Sequence, residues 1–384
     1  MNGFDLSTIS DLYVGSTQYS AIYKGSNLIW SAGPVPYDKQ YLTIEFEYAA
    51  GSALLWETSN SSFTRTIQYS TDGKTWYNLT SKTENDAQNN DWLRDNKVYY
   101  FRGTNTEYGN GSYYCRFHIS GYENCIIYGN LGSLIDYTGF KNGVTLSSHY
   151  AFRSMFNGNP KITDASNLVL PANLNGKQYA YYQLFKTCIN LVTPPTSWDG
   201  TFASVATFRE AFQNCSGMTT CMDTPNITNA QSYAFFETYR GCSALTTFPS
   251  KFANTVATQA YKNMFVYCSS LTGSPTIQTT SFTGSNQFDS MFYQCTNITG
   301  CTINAASNNY TGCMNDMFYG CSKLNAVYLP NATSWVWSAS SPTNRWLNSV
   351  ASSGTLYVNS NQDTSNIPSG NSGLPSGWTI QTLS

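Results

Sequence analysis

The chain has 384 residues, a formal net charge of −2 and only 11% charged side chains, about half of ordinary usage. That length allows two or three domains with sizeable cores, and the lack of any Lys/Arg run argues against nucleic acid as a partner. The surface must be covered instead by Ser, Thr, Asn, Gln, Gly and the 29 tyrosines, residues that suit both adaptable binding surfaces and strands.

Residues 1–33 read as a small β module. Leu12-Tyr13-Val14, Ile22-Tyr23-Lys24 and Leu28-Ile29-Trp30 are short alternating runs separated by Gly-Ser turns, the pattern of a β meander. The N-terminus has neither a basic nor an apolar region of signal-peptide type, and no stretch is apolar enough for a membrane span. Gly33-Pro34-Val35-Pro36 reads as a linker. Residues 37–125 carry at least five short strands, among them Tyr41–Tyr48, Arg65–Tyr69 and Tyr113–Ile119, with Asp72-Gly73 as a hairpin turn; this predicts a β-sandwich. The polar loop 83–96 holds Asp86, Asp91 and Asp95, whose spacing matches no established calcium loop.

From residue 126 to 350 one phrase recurs seven times. Its anchors are Phe156, Phe185, Phe212, Tyr239, Phe265, Phe292 and Phe318, which stand 26 to 29 residues apart, a solenoid period. Four residues before the anchor stand Phe152, Tyr181, Phe208, Phe235, Tyr261, Phe288 and Met314. Three residues after it stand Cys188, Cys215, Cys242, Cys268, Cys295 and Cys321, with Asn159 in the first copy. Position −1 is mostly Met, Leu or Ala, and position +6 is apolar throughout. These columns fall at i, i+3, i+4 and i+7, which predicts a helix of two to three turns followed by a short strand. Pro194, Pro249, Pro275 and Pro330 fall near the strand ends, where a missing N–H is tolerated. One Cys per repeat reads as a ladder of buried thiols rather than a disulfide framework. Residues 351–384 read as a cap, with Trp346 and Trp378 sealing the last core layer.

The unit Met-Phe-x-x-Cys-Ser-x-Leu, with an aromatic four residues before the Phe, resembles the BspA-type leucine-rich repeat of Bacteroidales, mycoplasma and protist surface proteins, over residues 140–330. Tyr69–Trp76 and Asn96–Gly103 resemble the β domain that precedes such repeats in gut phage and prophage proteins, and Gly354–Thr379 is similar to their C-termini. Leu12–Thr17 and Ile22–Trp30 resemble attachment segments of phage tail proteins. Asn159 and Thr238-Tyr239 depart from the repeat pattern, and the resemblance brings no catalytic residue. It implies a leucine-rich-repeat fold of mixed β and α/β class: small β module, β-sandwich, about seven helix-turn-strand repeats, and a C-terminal cap.

The expectation for function is a non-enzymatic virion component made in the host cytoplasm, most simply a tail adhesin or fibre that binds a host-surface glycan or protein. A bacterial surface adhesin, and a capsid or tail decoration without a receptor, remain open as alternatives. Only His118 and His149 are available as imidazoles, no nucleophile or phosphate motif accompanies them, and Glu210, Glu237 and Asp316 read as a solvated polar face. No metal or cofactor is expected. The module would attach to other virion proteins through Leu12, Tyr13, Val14, Ile22, Tyr23 and Trp30. The candidate ligand-binding aromatics outside the core columns are Trp198, Tyr267, Tyr293, Tyr319, Tyr328, Trp335 and Trp337, with Tyr293 and Tyr319 stacking as neighbours at position +1. Membrane insertion is not expected. The oligomeric state stays open, a trimer included, because no heptads force one.

Overall fold

The computed structural model describes residues 35–338, 342–370 and 372–383, together with four short strands between residues 12 and 31. Those four form two antiparallel hairpins, Leu12–Val14 with Thr17–Tyr19 and Ala21–Lys24 with Asn27–Ser31. Gly33 and Pro34 of the expected linker lie outside the described residues.

In the region that follows, two sheets pack face to face. The larger orders its strands as Ile162–Asp164, Cys125–Asn130, Leu42–Phe46, Val98–Arg102, Thr66–Ser70 and Tyr77–Thr80; the smaller as Cys115–Gly121, Ser52–Thr58 and Trp92–Arg94. Phe101 of the first meets Phe117 of the second at a ring separation of 4.7 Å. Asp72 builds the turn between Thr66–Ser70 and Tyr77–Thr80 by accepting the backbone N–H groups of Lys74 and Thr75 at 2.8 and 2.7 Å. Strand Cys125–Asn130 pairs antiparallel with Leu42–Phe46 on one edge and parallel with Ile162–Asp164 on the other. The expected boundary at 125/126 therefore falls inside a strand, and the sandwich and the repeats share one sheet and one core.

The repeats form a mostly β solenoid of about seven turns, and among the described residues the expected helices do not form. In each turn the Met-Phe-x-x-Cys segment is a run of tight turns instead. Backbone N–H groups at positions −6, −4, −2, 0 and +2 donate to carbonyls of the next repeat: Tyr179 to Val205, Tyr181 to Thr207, Gln183 to Arg209, Phe185 to Ala211 and Thr187 to Gln213, at 2.7 to 3.0 Å. The intervening N–H groups reach back three residues, as from Leu184 to Tyr181 and from Cys188 to Phe185. Every fourth residue is left-handed: Tyr179, Gln183 and Thr187 have φ of 58°, 58° and 60°. Aromatics at −4 and 0 point inward in both a helix and this four-residue rhythm, so the apolar periodicity alone could not separate them. What decides is that this winding pairs the backbone between turns and stacks identical rings. Each non-glycine left-handed residue costs on the order of 1–2 kcal/mol, and the stacking and inter-turn bonds offset it.

Two aromatic ladders fill the interior. One runs Phe117, Phe156, Phe185, Phe212, Tyr239, Phe265, Phe292 and Phe318, the rings nearly parallel and 4.9 to 5.8 Å apart. The other runs Phe152, Tyr181, Phe208, Phe235, Tyr261 and Phe288 at 5.1 to 5.8 Å. Between turn segments the chain makes short parallel strands: Phe202–Ala203, Asn229–Ala230, Thr255–Ala257 and Ser281–Thr283 in one sheet, and Thr276–Ile277, Gly300–Ile303, Ala326–Leu329, Gly354–Asn359 and Trp378–Leu383 in another. At the C-terminal end Trp346 lies against Phe318 and donates its indole N–H to the Gly373 carbonyl at 3.1 Å, while Trp378 donates to Ala351 at 2.8 Å.

Candidate functional site

The cysteine column belongs to the architecture. Each thiol donates to the anchor carbonyl one turn earlier, Cys188 to Phe156 and so on to Cys321 to Phe292, at 3.0 to 3.1 Å. Burial pushes these thiols up, that of Cys188 to about 12, so they stay protonated. All eleven cysteines are unpaired. Partly exposed Cys221 still turns its sulfur onto the Thr247 carbonyl, 3.1 Å away.

The acidic column at −2 is not solvated. Glu210 and Glu237 are 7% and 9% exposed. Glu210 accepts from Lys186 at 2.6 Å, Gln183 at 2.9 Å and Arg209 at 3.2 Å. Burial raises its pKa, but these donors outweigh burial and hold the carboxyl below its ordinary range. Glu237 takes Gln213, Asn263 and Arg240, and Asp316 pairs with Arg345 at 2.9 Å. The left-handed backbone at −2 turns each carboxylate toward its neighbours in adjacent turns, which helical geometry would not do.

Among the described residues neither imidazole is paired with a nucleophile. His118 Nδ1 lies 3.0 Å from Glu57, which Arg116 also binds at 2.9 Å. His149 Nδ1 accepts the Gln178 backbone N–H at 3.1 Å. Asp86, Asp91 and Asp95 accept from Thr83, Gln88 and Gly51 respectively. Among the described residues no group of three or more His, Cys, Asp or Glu side chains is placed to hold a metal.

Of the aromatics singled out by the sequence, Trp198 and Trp335 are core residues. Trp198 is 1% exposed, meets Phe208 edge-on at 5.1 Å and donates to the Pro171 carbonyl at 3.2 Å. Trp335 is 4% exposed and donates to Ala305 at 3.0 Å. It packs with half-buried Trp337 and with Trp346 as a three-indole plug over the end of the ladder, with ring separations of 5.6 to 6.2 Å. Both lie outside the repeating columns, yet the irregular segments between turn runs that carry them also face inward. The tyrosines lie on the surface. Tyr293 stacks on Tyr319 at 4.7 Å with planes 6° apart, and half-exposed Tyr267 meets Tyr293 edge-on at 6.0 Å. Tyr328 stacks on Tyr357 of the adjacent strand at 4.3 Å. Leu12, Tyr13, Val14, Ile22, Tyr23 and Trp30 belong to the two N-terminal hairpins.

A second aromatic surface escaped the sequence reading. Position −3 faces outward and reads Arg153, Tyr182, Arg209, Phe236, Lys262 in successive turns. Arg153 and Arg209 lie 5.3 and 5.6 Å from the Tyr182 ring, and Arg209 lies 5.0 Å from Phe236, within cation–π range. Position −6 adds Tyr150 stacked on Tyr179 at 4.6 Å, and Tyr233 edge-on to Phe236 at 5.8 Å. The clue was an alternation of cation and aromatic in a column treated as variable. An open trough of about 740 Å³ also lies at the sandwich–solenoid junction, rimmed by Asp38, Lys39, Lys141, Asn142, Ser197 and Asp199.

Stacked, half-buried rings beside fixed guanidinium groups form a preorganised platform for flat or extended ligands with apolar faces and polar edges. Comparison with family models, with curated proteins and with solved structures finds no match for this chain.

Proposed function

We propose that this protein is a non-enzymatic virion component of a bacteriophage, a tail-associated adhesin or fibre that binds a host-surface glycan or protein through its solenoid. The observation that carries the reading is the outward face of the turn segments, where Tyr150 stacks on Tyr179 beside Tyr182, Tyr233 meets Phe236 two turns further on, and Tyr267, Tyr293 and Tyr319 lie ring to ring across three successive turns. Aromatic rings in register, carried on a backbone hydrogen-bonded turn to turn, offer an extended contact surface at low entropic cost. The resemblance of the repeats to BspA-type proteins, and of the flanking segments to gut phage proteins, supports the virion context. In this reading the hairpins of residues 12–31 seat the protein on other virion components, and the sandwich spaces the solenoid from them.

The test is binding of the purified full chain to a panel of intact gut Bacteroidales cells. Saturable binding to some strains, lost in a variant carrying Tyr182→Ala and Tyr293→Ala, is the expected result. Absence of binding across the panel, with the protein present in purified particles, would favour a decoration without receptor role. Deleting residues 1–33 should prevent incorporation into particles.

A further inference from the structure

We infer that the stripe formed by positions −3 and −6 binds an acidic polysaccharide whose carboxylates recur on every second sugar, a ligand class that rests on the reading of this face as a binding surface. The argument is one of spacing and charge. Along position −3, cation and aromatic alternate turn by turn: Arg153, Tyr182, Arg209, Phe236, Lys262. Cations therefore recur every second turn, on the order of 10 Å apart given the spacing of hydrogen-bonded strands. That is comparable to the repeat of a disaccharide in an extended chain. Between them lie the Tyr182 and Phe236 rings, over which the guanidinium groups are held, so cation and ring form one continuous surface stripe.

Neither guanidinium is fully neutralised by its neighbours, although the Nε of Arg153 is itself buried. Arg153 hydrogen-bonds the Asn110 carbonyl and has no carboxylate partner among the described residues. Arg209 touches Glu210 through Nε at 3.2 Å, but Glu210 is shared with Lys186 at 2.6 Å, so one carboxylate meets two cations and the local balance stays positive. Lys262 is neutralised by Asp289 at 2.8 Å, which ends the positive stretch after Arg209. Guanidinium is suited to planar bidentate recognition of a carboxylate. A nucleic acid, with a phosphate at every residue, would call for a denser cation row than two arginines in four turns, one of them sharing a carboxylate.

The experiment measures binding of the full chain to hyaluronate, in which glucuronate alternates with a neutral sugar, to carboxyl-reduced hyaluronate, to dextran and to poly-glutamate. The expected result is binding to hyaluronate that weakens with added salt and is lost on carboxyl reduction. Arg153→Gln and Arg209→Gln should each weaken it on the order of tenfold, as for loss of a charged hydrogen bond. Arg209→Lys should recover part of the loss, with melting curves confirming that the variants fold. Binding that survives carboxyl reduction, preference for poly-glutamate, or no hyaluronate binding alongside retained cell binding would each overturn the acidic-glycan assignment and leave the adhesin reading standing. Loss of both hyaluronate and cell binding in the unaltered protein would overturn the reading itself.

Discussion

The side-chain nitrogen of Asn159 lies 2.7 Å from the carbonyl oxygen of Phe117, across the seam where the sandwich meets the first turn of the solenoid. The same amide donates to the Phe156 carbonyl at 2.8 Å, and its oxygen accepts the Ile119 N–H at 2.8 Å. Asn159 occupies the place of cysteine in the other six repeats. There the previous turn presents a carbonyl, for which a thiol suffices; here the neighbour is a β-strand that needs both a donor and an acceptor. Asn159→Ala leaves three buried groups without this partner and should cost about 2–4 kcal/mol. Asn159→Cys restores one donor but no comparable acceptor, so its stability in urea denaturation should fall between wild type and alanine. A cysteine variant as stable as wild type would refute this account.

The thiol ladder makes a separate prediction at alkaline pH. Burial raises the Cys188 thiol from 9.0 to about 12, and burial pushes Cys215, Cys242, Cys268, Cys295 and Cys321 up as well. A folded-state value above the unfolded one means that the stability contribution is complete below pH 9 and is lost as pH climbs from 9 toward the folded values, because only the unfolded chain releases these protons. Unfolding free energy should therefore fall steeply above pH 9, and a thiol reagent at pH 8 should label the ladder only after denaturation. Rapid labelling of all eleven cysteines in the native protein would contradict the buried ladder.

The period, the solenoid and the burial of the Phe, Cys and Leu columns were legible in the sequence, because identical side chains recurring at a fixed interval have to meet their own copies. The secondary structure was not. Positions −4, −1, 0 and +3 give the same apolar stripe in a helix as in a winding that turns every four residues. The discriminating residues were the polar ones between them: Ser154, Gln183, Asn263 and Ser290 at −2, and Gly158, Asn214, Gly241 and Gly320 at +2, all left-handed in the structure. Glycine, asparagine and serine repeated every fourth residue disfavour a helix. The same backbone explains why Glu210 and Glu237, read as solvated, are buried; Trp198 and Trp335, read as candidate binding aromatics outside the core columns, are core because the segments between the turn runs also face inward.

That burial gives an acid-side prediction. Burial raises the pKa values of Glu57 and Glu210, but His118 and Arg116 around Glu57, and Lys186, Gln183 and Arg209 around Glu210, bring both below the ordinary value of 4.5. Groups depressed on folding stabilise the protein above the unfolded value and lose that contribution as pH falls through the folded one. Stability should decline below pH 4.5. Glu210→Gln should be less stable than wild type at pH 7, since Lys186 and Arg209 lose their shared charge, and the gap should narrow as pH drops below 4.5. A gap unchanged with pH would show that Glu210 contributes by shape rather than charge.

Trp198 and the Tyr293–Tyr319 pair separate packing from recognition. Trp198 is enclosed against Phe208 with its indole N–H bonded, so Trp198→Ala should cost about 3–5 kcal/mol through the cavity it leaves. Tyr293 and Tyr319 stack on each other at the surface, and replacing both by alanine should cost less, since little more than the pair interaction of about 0.5–1.5 kcal/mol and part of their area burial is lost. On a binding face the order reverses: the double tyrosine variant should lose affinity for cells with a smaller drop in melting temperature than Trp198→Ala, and Trp198→Ala should bind normally in whatever fraction remains folded. Melting curves and cell-binding isotherms on the same preparations decide it. A double tyrosine variant that binds like wild type would remove this row from the recognition surface and leave the Arg153–Tyr182–Arg209 stripe as its remaining candidate.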